Sequence, residues 1–381
     1  MESQEHNIVP LFKVLMSSTI DEPLLKVLHS GYIGQGQKVE EFEFMLKEYF
    51  GRDYIITLNT GTSGLHLALY MYKKKLGLDN NSEILTTPLT CFATNAPILT
   101  NDLKIKWVDI DPGNLNIDLD DLARKITPNT KIIIFVHWGG YPIDEDKLNK
   151  ICNDTEKMYG FRPVVIEDGA HALGSEYDGR KLGNQGNIIM YSLQAIKHVT
   201  SIDGGIVIFQ NKEDYQRAKL MRWYGISREE DRTDMRCELN IKEAGFKFHM
   251  NDVNAVIGME NFKDLDKIVA MHRDNAKYYD DNLADVGGII LLERNPLCNS
   301  SFWLYTMLVE NRPGFMRAMK ERGIMVSRVH ERNDIHTAVK EFRVHLPSLD
   351  RVHQSMICIP VGWWVTKEDR EYIVKSIKEG W

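Results

Sequence analysis

A single lysine separates two strongly apolar segments near the middle of the chain. The runs NIIMYSL and GGIVIF enclose the loop that holds Lys197, within the stretch YSLQAIKHVTSIDGG at residues 191–205. Burying an ammonium group without a partner costs several kcal/mol, so a lysine between two predicted core strands needs a chemical reason. A lysine that is joined covalently to a carbonyl group is no longer a bare ammonium, and enzymes use lysine as a nucleophile in this way.

Two other groups of polar residues follow predicted strands. The turn NTGTSG comes after the apolar run YIITL and leads into a helical pattern, which is the form of an anion site at a helix N-terminus. Asp168 ends the apolar segment PVVIED. Ligands of open parallel sheets bind beyond the carboxyl ends of the strands, so these residues and Lys197 are expected to meet in one site.

Pyridoxal phosphate suits this combination of an anion turn, an acid and a lysine. The acid would face the pyridine nitrogen, and the lysine would carry the aldehyde of the cofactor. Each feature alone has a commoner structural explanation: the turn as a helix cap, the acid as a cap or surface residue, and the lysine as a solvated side chain. The order of all three along the chain is what makes them specific.

The elements that would position these residues alternate between strand and helix patterns over most of the first 210 residues. Several apolar segments are continuous Ile/Val runs, which fit strands covered by helices on both faces. An α/β fold with a mainly parallel, seven-stranded sheet between helices is therefore expected. The predicted strands are YIITL, EILTTP, KIKWVDID, KIIIFVHW, PVVIED, NIIMYSL and GGIVIFQ.

A change of pattern after residue 250 predicts a second, smaller domain. A long helical region runs from Asn251 to about Asp285, and the short strands SFWLYTMLV and GIMVSRV follow among helices. We therefore expect a large cofactor-binding domain at residues 1–250, which includes the N-terminal segment. Residues 251–381 should form the long helix and a small C-terminal α+β domain.

Composition narrows the class of protein. The chain has 381 residues and a net charge of −7, which argues against nucleic acid or an anionic membrane as its main partner. Five cysteines without a CxxC pair predict reduced thiols in a cytoplasmic protein and no metal site. The uncharged window at residues 84–101 contains threonines, asparagines and two prolines, so it is a poor candidate for a membrane span.

Five ordered blocks carry a resemblance that extends over nearly the whole chain. They are SGYIGQGQKVEEFE, NTGTSGLHLAL, EDGAHALGSEYDGRKLGNQG, SLQAIKHVTSIDGG and GFKFHMNDVNAVIGMENF. In this order they resemble the DegT/StrS-type sugar aminotransferases, a branch of the fold-type I pyridoxal-phosphate enzymes. The resemblance implies that fold and that cofactor.

Within the family pattern, Lys197 takes the place of the catalytic lysine that carries the cofactor. A related branch has histidine there and dehydrates a sugar at its 3-position, and in this chain His198 stands directly beside the lysine. Ser192 upstream and the Asp-Gly-Gly sequence at 203–205 downstream keep Lys197 in register and place His198 one residue beyond it. The aminotransferase branch is therefore the better match.

The resemblance also implies residues that bind the cofactor. Asp168 would pair with the pyridine nitrogen, and His171 would lie by the ring hydroxyl. Either Cys91 or Phe92 would cover the ring, because Cys91 occupies the position where the family usually has an aromatic residue. The residues implied for the phosphate are Gly61, Thr62, Ser63 and Ser192.

Further implied contacts concern the substrate and a second subunit. The histidines His137, His198 and His330 would line the substrate site. Lys247 replaces the family's asparagine that reaches the phosphate of the neighbouring subunit, which implies a homodimer with shared active sites.

The activity implied by the resemblance is transfer of an amino group from glutamate to a nucleotide-linked keto-sugar. We expect a nucleoside-diphosphate 4-keto-6-deoxyhexose as acceptor and a 4-amino-4,6-dideoxy sugar for glycan biosynthesis as product. Transamination at the 3-position is the near alternative. A non-catalytic regulatory member of the fold is the other, and the intact Lys197, Asp168 and Ser192 argue against it.

Overall fold

A computed structural model describes residues 8–229, 234 and 240–381. A seven-stranded sheet forms the centre of its larger part, and two three-stranded sheets accompany it. The strands are β1 (Ile55–Leu58), β2 (Glu83–Thr86), β3 (Lys104–Trp107), β4 (Thr130–Val136), β5 (Val164–Asp168), β6 (Glu176–Tyr177), β7 (Arg180–Lys181), β8 (Ile188–Ser192), β9 (Gly205–Ile208), β10 (Ile289–Leu291), β11 (Cys298–Asn299), β12 (Tyr305–Val309) and β13 (Met356–Ile359).

Helices cover the sheets and connect the strands. The α-helices are α1 (Asp21–Leu28), α2 (Gln37–Phe50), α3 (Gly61–Lys75), α4 (Phe92–Thr100), α5 (Leu119–Lys125), α6 (Glu145–Tyr159), α7 (Lys212–Met221), α8 (Asp252–Phe262), α9 (Leu265–Leu283), α10 (Arg312–Glu321), α11 (Pro347–Val352) and α12 (Lys367–Lys378). Short 3₁₀ helices lie at Trp138–Gly140, Asn333–Ile335 and Thr337–Phe342.

The large sheet has the strand order β1-β9-β8-β5-β4-β2-β3. Strand β9 runs antiparallel to both of its neighbours, whereas the pairs from β8 to β3 are parallel. The prediction of an α/β fold with a mainly parallel, seven-stranded sheet is confirmed. All seven predicted segments contribute a strand to it.

Strand β4 shows why the Ile/Val runs are continuous. Ile132, Ile134 and Val136 pack into the hydrophobic cluster on one face of the sheet. Ile133 and Phe135 pack into a second cluster on the other face. Both faces of the strand are covered from Ile132 to Val136, so every position in this part is buried and apolar.

The predicted long helical region consists of two helices, α8 and α9. Ala255 and Phe262 of α8 pack with Phe42 of α2 in the cluster on the large sheet. Ala276 and Tyr279 of α9 pack instead in the cluster of the smaller sheet, whose order is β10-β12-β13. The proposed domain boundary at residue 250 stays a prediction, and α8 packs with the large sheet.

The smaller sheet corrects one predicted element. The segment SFWLYTMLV contributes β12 as expected, but the predicted strand in GIMVSRV is wrong. Ile324 forms a single bridge with Val9 and Ser327 forms one with Cys358, because this segment turns from one neighbour to another. The third strand, β13, comes from the segment QSMICIP, which was not predicted.

No helix in the described ranges is long and apolar enough to cross a membrane. The uncharged window at residues 84–101 instead contains the end of β2 and the helix α4, which packs beside α3.

A buried ion pair joins three elements beside the large sheet. Arg222, after α7, contacts the carboxylate of Glu43 in α2 at 2.5 Å and donates to the carbonyl of Thr57 in β1 at 2.9 Å. The same carboxylate oxygen accepts the backbone N–H of Thr57 at 2.8 Å. Both charged side chains are almost completely buried.

Loss of Arg222 should destabilise the protein strongly, because it leaves the Glu43 carboxylate buried without its cation. We expect Arg222→Met to lower the free energy of unfolding by about 3–5 kcal/mol, measured by urea unfolding. The double variant Glu43→Gln/Arg222→Met should recover most of this loss. Lys26→Met is the matched control, since it breaks an exposed ion pair with Glu22 and should leave the urea midpoint unchanged. A wild-type midpoint for Arg222→Met would contradict the expectation.

Candidate active site

A cavity of about 730 Å³ lies at the carboxyl ends of the central strands. Asp168 ends β5, Ser192 ends β8, and the turn Thr60–Thr62 follows β1. The predicted site residues that line this cavity are Gly61, Thr62, Cys91, Asp168, His171, Ser192, Lys197 and His330. The sheet thus brings together residues that are far apart in the sequence.

The N-terminus of α3 forms an anion cradle on the cavity wall. Thr60 caps the helix: its hydroxyl accepts the N–H of Ser63 at 3.0 Å, and its carbonyl accepts the N–H of Gly64 at 3.3 Å. The N–H groups of Gly61 and Thr62 have no acceptor among the described residues. Free N–H groups at a helix N-terminus bind anions such as phosphate.

Asp168 offers a buried carboxylate on the wall of the same cavity. Its Oδ2 accepts the hydroxyl of Thr94 at 2.7 Å, and its Oδ1 accepts the N–H of Ala170 at 2.9 Å. Burial raises the pKa of Asp168, and the two hydrogen bonds oppose this rise. Such a carboxylate gains strongly from a positive partner.

Lys197 is buried in the same cavity, and burial lowers its pKa to about 8. The charge of Asp168 acts in the opposite direction. A lysine with this pKa is partly neutral near pH 8, so it can act as a nucleophile and exchange protons.

Two histidines lie together beside the lysine. The rings of His171 and His330 are nearly parallel, with centroids 5.4 Å apart, and their Nε2 atoms are 3.4 Å apart. Nδ1 of His171 accepts the N–H of Gly139 at 3.3 Å. Burial lowers the pKa of His171 well below its usual range and that of His330 to about 4, so both are neutral near pH 7.

The structure does not bring five of the predicted residues to the wall of this cavity. His198 is buried and bonds to the carbonyl of Ser301 at 3.0 Å. The Phe92 ring contacts His336, while the neighbouring Cys91 lines the cavity. The remaining three are Ser63, whose hydroxyl is bonded to Thr60, His137, which is fully buried, and Lys247, whose backbone pairs with Trp223.

His137 belongs to a separate buried cluster with Glu145 and Glu167, whose ligand atoms lie within 4.8 Å of one another. Its Nδ1 accepts the N–H of Ile143 at 3.3 Å, so the ring proton is on Nε2 and points to Glu167 at 3.0 Å. Burial and the neighbouring Glu167 raise the pKa of Glu145 well above its usual range. Protonation of Glu145 relieves the repulsion between its buried carboxyl group and that of Glu167.

Several lining residues were missed in the sequence. Trp303 sits in the segment SFWLYTMLV, where its apolar pattern indicated only a strand. The others come from the N-terminal segment Pro10–Phe12 and from the loop that contains Met325, Ser327 and Val329. No spacing relates these residues to Lys197 along the chain.

Residues 15–378 match the DegT/DnrJ/EryC1/StrS aminotransferase family. The chain belongs to this family. It is similar to the crystal structure of AtS13 from Actinomadura melliaura, with 45% identity, a TM-score of 0.95 and coverage of 99% of this chain and 100% of that chain. The sugar aminotransferase CalS13 from Micromonospora echinospora is 42% identical, with a TM-score of 0.94 and coverage of 98% and 100%.

A relative whose name states a reaction is also similar to this DegT-family chain. It is the UDP-4-amino-4-deoxy-L-arabinose–oxoglutarate aminotransferase of Shewanella sediminis, 32% identical over 287 residues, which are 74% of this chain and 71% of the relative. The family membership makes the protein a pyridoxal-phosphate-dependent aminotransferase.

The residues of the cavity fit this cofactor. The free N–H groups of Gly61 and Thr62 suit its phosphate, the buried Asp168 suits its pyridine nitrogen, and Lys197 suits its aldehyde. The backbone of Gly205 lies directly against the cradle. A Cβ atom at this position would lie 2.5 Å from the Thr60 carbonyl oxygen and 2.8 Å from the Gly61 nitrogen, so there is no room for a side chain.

Gly205→Ala should therefore displace the cradle and weaken cofactor binding. Loss of one charge-assisted hydrogen bond, about 1.5–3 kcal/mol, predicts a fall in pyridoxal phosphate affinity of at least about tenfold. Titration of the cofactor-free protein, followed by absorbance, measures it. Gly287→Ala is the control, because a Cβ there meets nothing within 4 Å. Equal affinities for the two variants would contradict the geometry of the cradle.

Proposed function

We propose that this enzyme transfers an amino group from glutamate to C4 of a nucleoside-diphosphate 4-keto-6-deoxyhexose. The product would be a 4-amino-4,6-dideoxy sugar used in glycan biosynthesis. The observation that carries this proposal is that the buried Lys197, the Asp168 carboxylate and the α3 cradle line one cavity. The name of the Shewanella sediminis relative, with an amino group at the 4-position and oxoglutarate as co-substrate, supports the position and the donor.

Asp168 and Lys197 have different roles in the proposed reaction. When bound, pyridoxal phosphate acts as an electron sink and carries the amino group between the two substrates. Asp168 holds a proton on the pyridine nitrogen through its buried carboxylate. The Nζ atom of Lys197 takes a proton from Cα of glutamate and later gives one to C4 of the sugar, for which its pKa of about 8 is well placed. The buried walls exclude water from these transfers.

The charges of the cavity support a homodimer with shared sites. The cofactor, glutamate and a nucleoside diphosphate are all anions, yet Lys197 is the one lysine or arginine on the cavity wall in the described part of the chain. A C₂ interface presents the same patch of each subunit to the other, so cations of one chain can complete the partner's site.

A cationic patch suited to this role surrounds Lys247. The backbone of Lys247 pairs with that of Trp223. The Trp223 ring has two further neighbours: the centroid of the His249 ring lies 3.7 Å from its centroid, and the Arg228 guanidinium lies at 4.4 Å. Arg228 also donates to the carbonyl of Gln35. The exposed apolar side chain of Phe44 lines the same surface pocket as Arg228, and exposed apolar surface is typical of protein interfaces.

The function is tested by supplying glutamate and a panel of nucleotide keto-sugars to the purified enzyme. We expect amination of a 4-keto-6-deoxy sugar, with the amine located at C4 by NMR. Lys197→Ala should abolish turnover, whereas Lys340→Ala, a change at an exposed lysine outside the cavity, should not. An amine at C3 would assign the enzyme to the alternative reaction, and no product from any keto-sugar would refute the proposal.

The shared site is tested by mixing two inactive variants, Lys197→Ala and Lys247→Glu, under conditions in which subunits exchange. Heterodimers should regain one complete site, with Lys197 from one chain and Lys247 from the other. With equal amounts of the two chains, half of the dimers are heterodimers and each has one good site of two, so activity should approach about a quarter of the wild-type value. No recovery despite proven exchange would show that Lys247 does not act across the interface.

A further inference from the structure

The amino group of Lys197 lies against the face of an indole ring. Its Nζ atom is 3.5 Å from the centroid of the Trp303 ring, well inside the range of about 6 Å for cation–π contacts. Among the residues that the structure describes, no hydrogen bond or salt bridge of a side chain ends at this atom. The indole is therefore the direct contact of the amino group.

Trp303 is fixed firmly in this position. Its Nε1–H donates to the carbonyl of Ile196 at 2.9 Å, and the residue is 3% exposed. The Phe12 ring stacks on it at 5.1 Å, and the His171 ring stacks at 4.0 Å. Because Ile196 directly precedes Lys197, the same indole holds both the backbone of the loop and the amino group of the lysine.

The turn before Trp303 is also anchored to the site. Ser301 donates its N–H to the hydroxyl of Ser175 and its own hydroxyl to the carbonyl of His171. Phe302 has a φ of 49°, a left-handed conformation that is uncommon for an aromatic residue. These contacts hold the turn before β12 in a conformation that places Trp303 on the wall of the cavity.

We propose that Trp303 is a positioning residue for Lys197, which holds the amino group over its ring and favours the protonated form. The negative face of an aromatic ring attracts an ammonium group more strongly than a neutral amine. Burial lowers the pKa of the lysine, whereas the indole raises it, so the indole partly offsets the effect of burial. Both protonation states of the lysine therefore remain accessible, and a group that first takes and then gives a proton needs both.

Several other groups could influence the same proton. The titratable side chains that face Lys197 are Asp168, Cys91, His171, His198 and His330. Asp168 favours the ammonium, and burial keeps the three histidines neutral near pH 7 by lowering their pKa values. Trp303 does not titrate, so its effect can be separated from theirs by substitution.

The test measures the pKa of Lys197 in the full-length protein after removal of the cofactor. Competitive labelling with acetic anhydride across a pH series, read by mass spectrometry of the Lys197 peptide, needs no substrate. Trp303→Leu should lower the pKa by about 0.4–1.5 units, which is 0.5–2 kcal/mol converted at 1.36 kcal/mol per unit. Trp303→Phe retains an aromatic face and should recover part of this shift.

Trp363→Leu is the matched control, since it removes an indole that faces Lys13 and does not line the cavity, and it should leave the pKa of Lys197 unchanged. An unchanged or raised pKa in Trp303→Leu would overturn the proposal, as would an equal fall in Trp363→Leu. If Trp303→Leu does not fold, fluorinated tryptophan in the otherwise unchanged chain replaces it. Fluorination weakens the negative face at constant shape, so the pKa should fall, and a constant pKa would refute the role of the ring.

Discussion

Exclusion of water from the amino group of Lys197 is the constraint on which the rest of the site depends. Burial destabilises the ammonium and brings its pKa to about 8, whereas an exposed lysine would remain charged and inert as a base. The same dry surroundings strengthen the attraction between Lys197 and Asp168. Each wall of the cavity therefore contributes to reactivity by keeping water out, as well as through its own contacts.

Strand order explains how this dry site is assembled. The strands β1, β9, β8 and β5 are neighbours in the sheet, so the α3 cradle, the lysine loop and Asp168 open at one edge. Strand β9 runs antiparallel between β1 and β8, and the lysine loop therefore connects adjacent strands at that edge. The close approach of Gly205 to Thr60 results from this pairing.

The remaining walls come from distant parts of the chain. The N-terminal segment at Pro10–Phe12 and the residues Trp303 and His330 close the cavity from the side of the smaller sheet. Val9 pairs with Ile324, which joins the N-terminal segment to that sheet. The two sheets thus share one site, and a shift of the smaller sheet would change both water access and the contact between Trp303 and Lys197.

The amino-acid sequence by itself determined the seven core strands, because continuous Ile/Val runs are stable only where both faces of a strand are covered. It also determined the order of the anion turn, Asp168 and Lys197, since these residues belong to strand ends whose positions the pattern shows. The strand predicted in GIMVSRV failed because apolar content does not specify which neighbour a segment pairs with. Only the tertiary structure decided that Trp303 joins Lys197, whereas His137 and His198 bond elsewhere. Those contacts depend on backbone turns, such as the left-handed Phe302, and on packing between sheets, and neither leaves a periodic signal in a single sequence.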